Sequence, residues 1–178
     1  RGLGDVYKRQ DKGQLGQGDY NVRSVPTKVK LTYEAVNVWC GNKATIVQTS
    51  DGKVYVFGDN SNYLLGMKTR SDIVNTPTEN EYLSGTTIDK IELQNDFAIA
   101  LIGNQVWGWG INSVGRLSTC GSTVKYPEVL SDKLIGISDI AAGDSHCVAI
   151  TDNGDLYGWG SNSAKQLGGD TSSRVVDI

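Results

Sequence analysis

The chain has 178 residues, a formal net charge of −3 from 17 basic and 20 acidic side chains, and 38% apolar residues. This composition suits one globular domain or part of one, and it excludes two classes at once: no apolar run approaches the ~18 residues of a membrane span, and the charge balance leaves no footprint for nucleic acid. Glycine is abundant at 22, against three prolines, three cysteines and one histidine, so frequent tight turns are expected and a metal site built on several histidines is not.

Taken in chain order, residues 1–10 stand apart. Arg1 is not an initiator methionine, no charged-then-apolar export signal follows it, and the run shares nothing with what comes after. It looks like translated adapter sequence, so fold reasoning begins at Asp11 and the chain is expected to be a fragment. From there a pattern recurs. Gln14-Leu15-Gly16 is followed by Pro26 and by Thr27–Leu31, which is expected to form a short fourth strand after the proline. Ala35–Cys40 and Ala44–Thr49 are runs rich in β-branched residues, Ser50-Asp51-Gly52 is a hairpin signal, and Lys53–Phe57 alternates as a third strand. The stretch between Gly66 and Pro77 reads as polar connection. The same order returns from residue 86, and again as Ile137–Ala142, Cys147–Thr151, a turn over Thr151-Asp152-Asn153-Gly154, and Asp155–Trp159.

Three residue classes share one period. Gly58, Gly110 and Gly160 follow Phe57, Trp109 and Trp159 at spacings of 52 and 50; Pro26, Pro77 and Pro127 stand 51 and 50 apart; the turn glycines Gly52, Gly103 and Gly154 are each 51 apart. Gly16, Gly66 and Gly168 end Leu-Gly pairs, with Ser118 in the corresponding place of the third copy. No segment sustains a period of 3.6 with caps. The expected fold is therefore all-β, with antiparallel four-stranded blades of a β-propeller divided as 11–34 (partial), 35–85, 86–135 and 136–178 (partial). Just over three units fall short of the ~4 to 8 blades of a closed propeller. An open arc rather than a closed ring is expected, with possible self-association through its apolar ends.

The string Asp152-Asn153-Gly154-Asp155-Leu156-Tyr157-Gly158-Trp159-Gly160-Ser161-Asn162, ending in Lys165-Gln166-Leu167-Gly168, resembles the repeat of the regulator of chromosome condensation family. The resemblance runs from Asp11 to the C-terminus and implies seven-bladed propeller architecture. Gln94, where the other copies have Gly41 and Gly143, and Ser118 depart from the repeat and are expected to weaken the tight turns of one blade.

Candidate sites are few. His146 and Cys147 suggest a nucleophile pair, but neighbours on a strand point to opposite faces, and the resemblance makes His146 the repeat histidine, expected to be held by hydrogen bonds. Asp152-Asn153-Gly154-Asp155 has the look of a calcium loop yet lacks alternating ligands and a bidentate glutamate, so a turn is the better reading. Gly108-Trp109-Gly110 with Gly115 has the wrong spacing for a nucleotide fingerprint. Cys40, Cys120 and Cys147 are far apart and form no CxxC pair. Trp109 and Trp159 are expected to pack between blades. A plant branch of the resembled family senses UV-B through tryptophans and carries Gly-Trp-Arg-His-Thr at the repeat histidine, whereas this chain has Gly143-Asp144-Ser145-His146-Cys147.

No catalytic, cofactor-binding or metal residues are therefore expected; Gly52, Gly58, Gly103, Gly110, Gly154, Gly160, Trp109, Trp159 and His146 are read as structural repeat positions. The expected function is a protein-interaction scaffold that is not an enzyme, uses no cofactor and binds a protein partner through loops such as Met67–Thr76 and Ser118–Lys125. The resemblance implies two alternatives: guanine-nucleotide exchange on a small GTPase, and enzyme inhibition by a propeller. The even repeat spacing leaves no room for the wedge-like insertion that exchange uses in the founding member. Bacterial relatives are often exported, which favours an exported or cell-surface protein over a cytoplasmic one.

Overall fold

The computed structural model describes residues 11–68, 71–117, 121–168 and 175–176. These residues form three four-stranded antiparallel sheets. The first holds β1 (Ala35–Cys40), β2 (Ala44–Thr49), β3 (Val54–Asp59) and β4 (Ile73–Glu79); the second holds β5 (Ile88–Leu93), β6 (Phe97–Ile102), β7 (Gln105–Ile111) and β8 (Thr123–Val129); the third holds β9 (Ile137–Ala142), β10 (His146–Thr151), β11 (Leu156–Ser161) and β12 (Val175–Val176). Strand order follows chain order in every sheet. The arrangement is an open arc of propeller blades with no closed sheet.

The middle blade is covered by a neighbour on each face, and its middle strands carry the sequence that such burial demands. β6, Phe97-Ala98-Ile99-Ala100-Leu101-Ile102, is buried at every position. The effect of a neighbour is visible by comparing repeat positions. Val54 and Val106 are 0% exposed, while Leu156, at the same position in the last blade, is 71% exposed. At the other end of the arc Val38 is 65% exposed, and its counterparts Ile91 and Ile140 are 5% and 2% exposed. Full burial of such a side chain is worth about 1.5–3 kcal/mol, so each seam between blades stabilises both of its blades. β5 packs against β1, and β9 against β5, β6 and β7.

The fourth strands differ from expectation. They do not follow the proline but contain it: Pro77 lies in β4 and Pro127 in β8, at irregularities in register between Val56 and Gly58 and between Gly108 and Gly110. Both are outer strands, where a residue without an N–H is tolerated beside a bulge. Thr27–Leu31 forms no strand. The third strands begin one residue later and run two residues further than the sequence suggests, through Asp59 and Ser161. The loops are correspondingly shorter, since β4 takes Ile73 onward, β8 takes Thr123 onward, and Met67 is buried. Residues 1–10, Ser118 and Cys120 lie outside the described residues.

Candidate functional site at the blade seams

The repeat residues singled out in the sequence converge on the seams. In each blade the first residue of the second strand pairs with the glycine after the aromatic: Ala44 with Gly58, Phe97 with Gly110, His146 with Gly160. These glycines have φ of 124°, 106° and 95°. A Cβ on them would lie 2.3 Å from the Lys43 carbonyl oxygen, 2.5 Å from that of Asp96 and 2.7 Å from that of Ser145. Backbone handedness and close approach both exclude a side chain here.

The aromatic before each glycine is buried, with Phe57, Trp109 and Trp159 at most 2% exposed, and it meets the turn of the preceding repeat. Trp109 Nε1 donates to the Leu64 carbonyl at 2.7 Å, and Trp159 Nε1 donates to the Arg116 carbonyl at 2.9 Å. Leu64 and Arg116 occupy the same repeat position, which Gln14 takes before the first blade. Phe57 has no N–H to offer. Its cross-strand neighbour Thr45 supplies the donor instead, the hydroxyl reaching the Gln14 carbonyl at 2.9 Å. Cys147, the cross-strand neighbour of Trp159, adds a weak thiol contact to the Arg116 carbonyl at 3.5 Å, whereas Ala98, beside Trp109, has no donor to add. Each seam thus satisfies one turn carbonyl from the next blade, by indole or by hydroxyl.

The repeat asparagines fix that turn. The side-chain carbonyls of Asn60, Asn112 and Asn162 accept the amides of Leu65, Leu117 and Leu167 at 3.1, 2.8 and 3.0 Å.

Arg116 is the polar residue that sequence reasoning passed over. It is 5% exposed, donates to the carbonyls of Ile111 and Asp144, to Asp96 Oδ2 and to Ser113 Oγ, and its guanidinium lies 4.6 Å from the Phe97 ring centre. The bond to Asp144 crosses from the second blade to the third, so this cation closes a seam that Leu64 closes one repeat earlier. The one advance signal was an arginine at a position otherwise held by leucine or glutamine. Gln94 behaves similarly. Its side-chain amide donates to the Ala142 carbonyl at 2.7 Å, so the departure from glycine adds an inter-blade bond.

Asp59 is a second buried charge. Burial alone would raise its carboxyl, but the Ser61 hydroxyl and amide at 2.7 and 2.9 Å, with Lys12 and Lys43 alongside, outweigh that and hold it below the ordinary carboxylate value.

The structure separates the roles of His146 and Cys147. The imidazole lies over Gly143, where a Cβ would come within 2.5 Å of the ring. The Cys147 thiol is buried, and that burial pushes its pKa far up, away from the thiolate a nucleophile needs. Asp152 to Asp155 form a hairpin turn, with the Gly154 amide donating to the Thr151 carbonyl. Gly52 and Gly103 sit in the corresponding turns, with φ of 82° and 57°. Among the described residues no three His, Cys, Asp or Glu side chains gather as metal ligands, and no helix is long and apolar enough to cross a membrane.

Blades joined through a turn carbonyl, an aromatic-glycine pair and a stapling asparagine define a β-propeller repeat protein. Comparison with known families agrees: the model for the Regulator of chromosome condensation (RCC1) repeat matches residues 51–101 and 104–150, and a second model of that description matches 137–166. The chain belongs to this family. It is 34% identical over 169 residues to the human E3 ubiquitin-protein ligase HERC2, covering 90% of the chain and 4% of that protein. It is likewise 34% identical over 184 residues to the Ultraviolet-B receptor UVR8 of Arabidopsis thaliana, covering 97% of the chain and 41% of that protein. In fold it is similar to human WBSCR16, with a TM-score of 0.68 and 22% identity over 84% of this chain and 40% of that one. It is similar also to the structure of Kap60 bound to yeast RCC1 (Prp20), with a TM-score of 0.69 and 17% identity over 79% and 35% of the two chains. The chain spans less than half the length of these relatives.

Proposed function

We propose that the chain is a propeller module, built from repeats at 35–85, 86–135 and 136–178, that serves as a protein-interaction scaffold without chemistry of its own. The observation carrying this reading is the fate of its reactive groups. Arg116, Asp59 and Cys147 all engage neighbouring backbone or charges within the seams, which leaves the hairpins and loops as the variable surface. Yeast RCC1 (Prp20), similar in fold, is described bound to Kap60 and with binding properties toward Gsp1p and histones, which supports protein partners for such a scaffold. The apolar ends, with Val38 and Leu156 exposed, also favour self-association, read as concentration-dependent light scattering.

The test pairs binding with catalysis. A captured partner, reconstituted from purified components, should lose affinity on loop substitutions such as Glu81→Lys or Lys133→Glu. It should keep its affinity on His146→Ala or Cys147→Ser in folded protein. Accelerated nucleotide release from a small GTPase, or a hydrolytic activity abolished by the latter two substitutions, would overturn the reading.

A further inference from the structure

Each blade turns from its second to its third strand through a hairpin, and the three hairpins differ chemically. In the first, the Asp51 carboxylate is held by the Thr49 hydroxyl at 2.7 Å and the Lys53 amide at 3.4 Å, and the Gly52 carbonyl accepts the Gly85 amide from the following loop. In the second, Asn104 itself takes the left-handed conformation and precedes Gln105. The third contains the chain's single Asn-Gly pair, Asn153-Gly154, within five consecutive exposed residues, Asp152 to Leu156. Among the described residues nothing hydrogen-bonds the Asn153 side chain, and a Cβ built on Gly154 would meet no atom within 4 Å. The hairpin is anchored on either side of this pair, the Asp152 amide donating to the Gly136 carbonyl at 2.9 Å and the Asp155 amide to the Thr151 hydroxyl at 3.0 Å, but no atom crowds Gly154 itself.

We propose that Asn153 is a site of spontaneous modification, converted by water to aspartate and isoaspartate. The Gly154 nitrogen gives up its proton to base and attacks Asn153 Cγ. A carbon-nitrogen bond forms, the Cγ–Nδ2 bond breaks, and the side-chain nitrogen takes a proton and leaves as ammonia, closing a five-membered imide. Water then opens one of the two imide carbonyls. Opening at Cγ gives aspartate in the ordinary chain; opening at the backbone carbonyl gives isoaspartate, with the main chain routed through the former side chain. Either product exchanges ammonia for water and creates one carboxylate.

Two features of the fold set the rate and the consequence. The attacking nitrogen donates to the Thr151 carbonyl at 2.9 Å, so the turn must open before the imide can close. The new carboxylate lies between Asp152 and Asp155, in a chain whose formal net charge is already −3. Isoaspartate also adds one atom to the backbone inside the turn. The Thr151 amide to Asp155 carbonyl bond and the Ile150–Leu156 pairing then lose their register.

The test incubates the purified 178-residue chain in mildly alkaline buffer and maps it by proteolysis and mass spectrometry. A free hexapeptide spanning residues 151–156 serves as the timing standard, and a protein-isoaspartate methyltransferase as the probe for isoaspartate. The expected result is a gain of about 1 Da in the peptide between Lys133 and Lys165, methyl transfer to that peptide alone, and a rate that rises with hydroxide concentration. Asn153→Gln should abolish the gain while leaving the circular dichroism spectrum unchanged. An unchanged peptide after the hexapeptide has fully converted would overturn the proposal, as would a gain confined to any other asparagine.

Discussion

Replacing the seam indoles tests the claim that each turn carbonyl needs a donor from the next blade. Trp109→Phe keeps a ring in place but removes the N–H that the Leu64 carbonyl accepts at 2.7 Å, and the cross-strand neighbour Ala98 has nothing to substitute. Leaving that buried carbonyl unpaired costs about 1–3 kcal/mol, with a further cavity contribution from the smaller ring. Trp159→Phe removes the corresponding bond at 2.9 Å, but the Cys147 thiol still points at the Arg116 carbonyl, so the loss should be smaller. Full truncation, Trp159→Ala, should cost about 3–5 kcal/mol. The first seam shows how a phenyl ring is accommodated: Phe57 stands beside Thr45, whose hydroxyl serves the Gln14 carbonyl. Combining Trp109→Phe with Ala98→Thr should therefore recover about 1 kcal/mol relative to the sum of the single changes. Urea unfolding of the four proteins of that cycle gives the coupling directly. A coupling energy of zero, with Trp109→Phe no more harmful than Trp159→Phe, would refute the donor argument.

Other positions separate the causes of repeat conservation within the chain. Gly110→Ala should cost upwards of about 3 kcal/mol, because positive φ adds to a Cβ 2.5 Å from the Asp96 carbonyl, while Gly154→Val, with φ of 86° and open space around it, should cost about 1–2 kcal/mol; equal urea midpoints would contradict this. Arg116→Ala should destabilise by about 3–5 kcal/mol by stripping the Asp144 and Asp96 bonds from a packed seam, and Arg116→Leu by less, since Leu64 fills the same place one repeat earlier; the comparison is again a chemical melt. Asp59, whose folded carboxyl titrates below its ordinary 3.8, contributes stability that is fully present above that value and lost as pH falls through the folded value. Asp59→Asn should therefore flatten the acid limb of a stability profile.

The all-β class, the middle strands and the turn glycines were legible because each is enforced by local chemistry that recurs at one period: β-branched runs, left-handed turns, an aromatic before a glycine. The fourth strand was misplaced because its proline was read as a boundary, whereas outer strands tolerate Pro77 and Pro127 at a bulge. The seam bonds were not legible. They depend on carbonyls, such as those of Gln14 and Leu64, whose partners lie some 30 to 45 residues away in another blade. Gln94 read as a lapse in the repeat and Arg116 drew no reading at all, and only packing turns both into inter-blade contacts. His146 matches the repeat in sequence, and its imidazole lies over Gly143, where a side chain would collide with it.

If the aromatic repeat residues are committed to seams rather than to a ligand, the chain's four tryptophans report it directly. Hydrogen exchange of the four indole N–H groups, followed by NMR after transfer to deuterated water, should show Trp109 and Trp159 exchanging only with global unfolding, because their donors end on buried carbonyls. Trp39, half-buried and making no such bond among the described residues, should exchange within the dead time. Rapid exchange of Trp109 and Trp159 in a protein whose β6 amides stay protected would contradict the account.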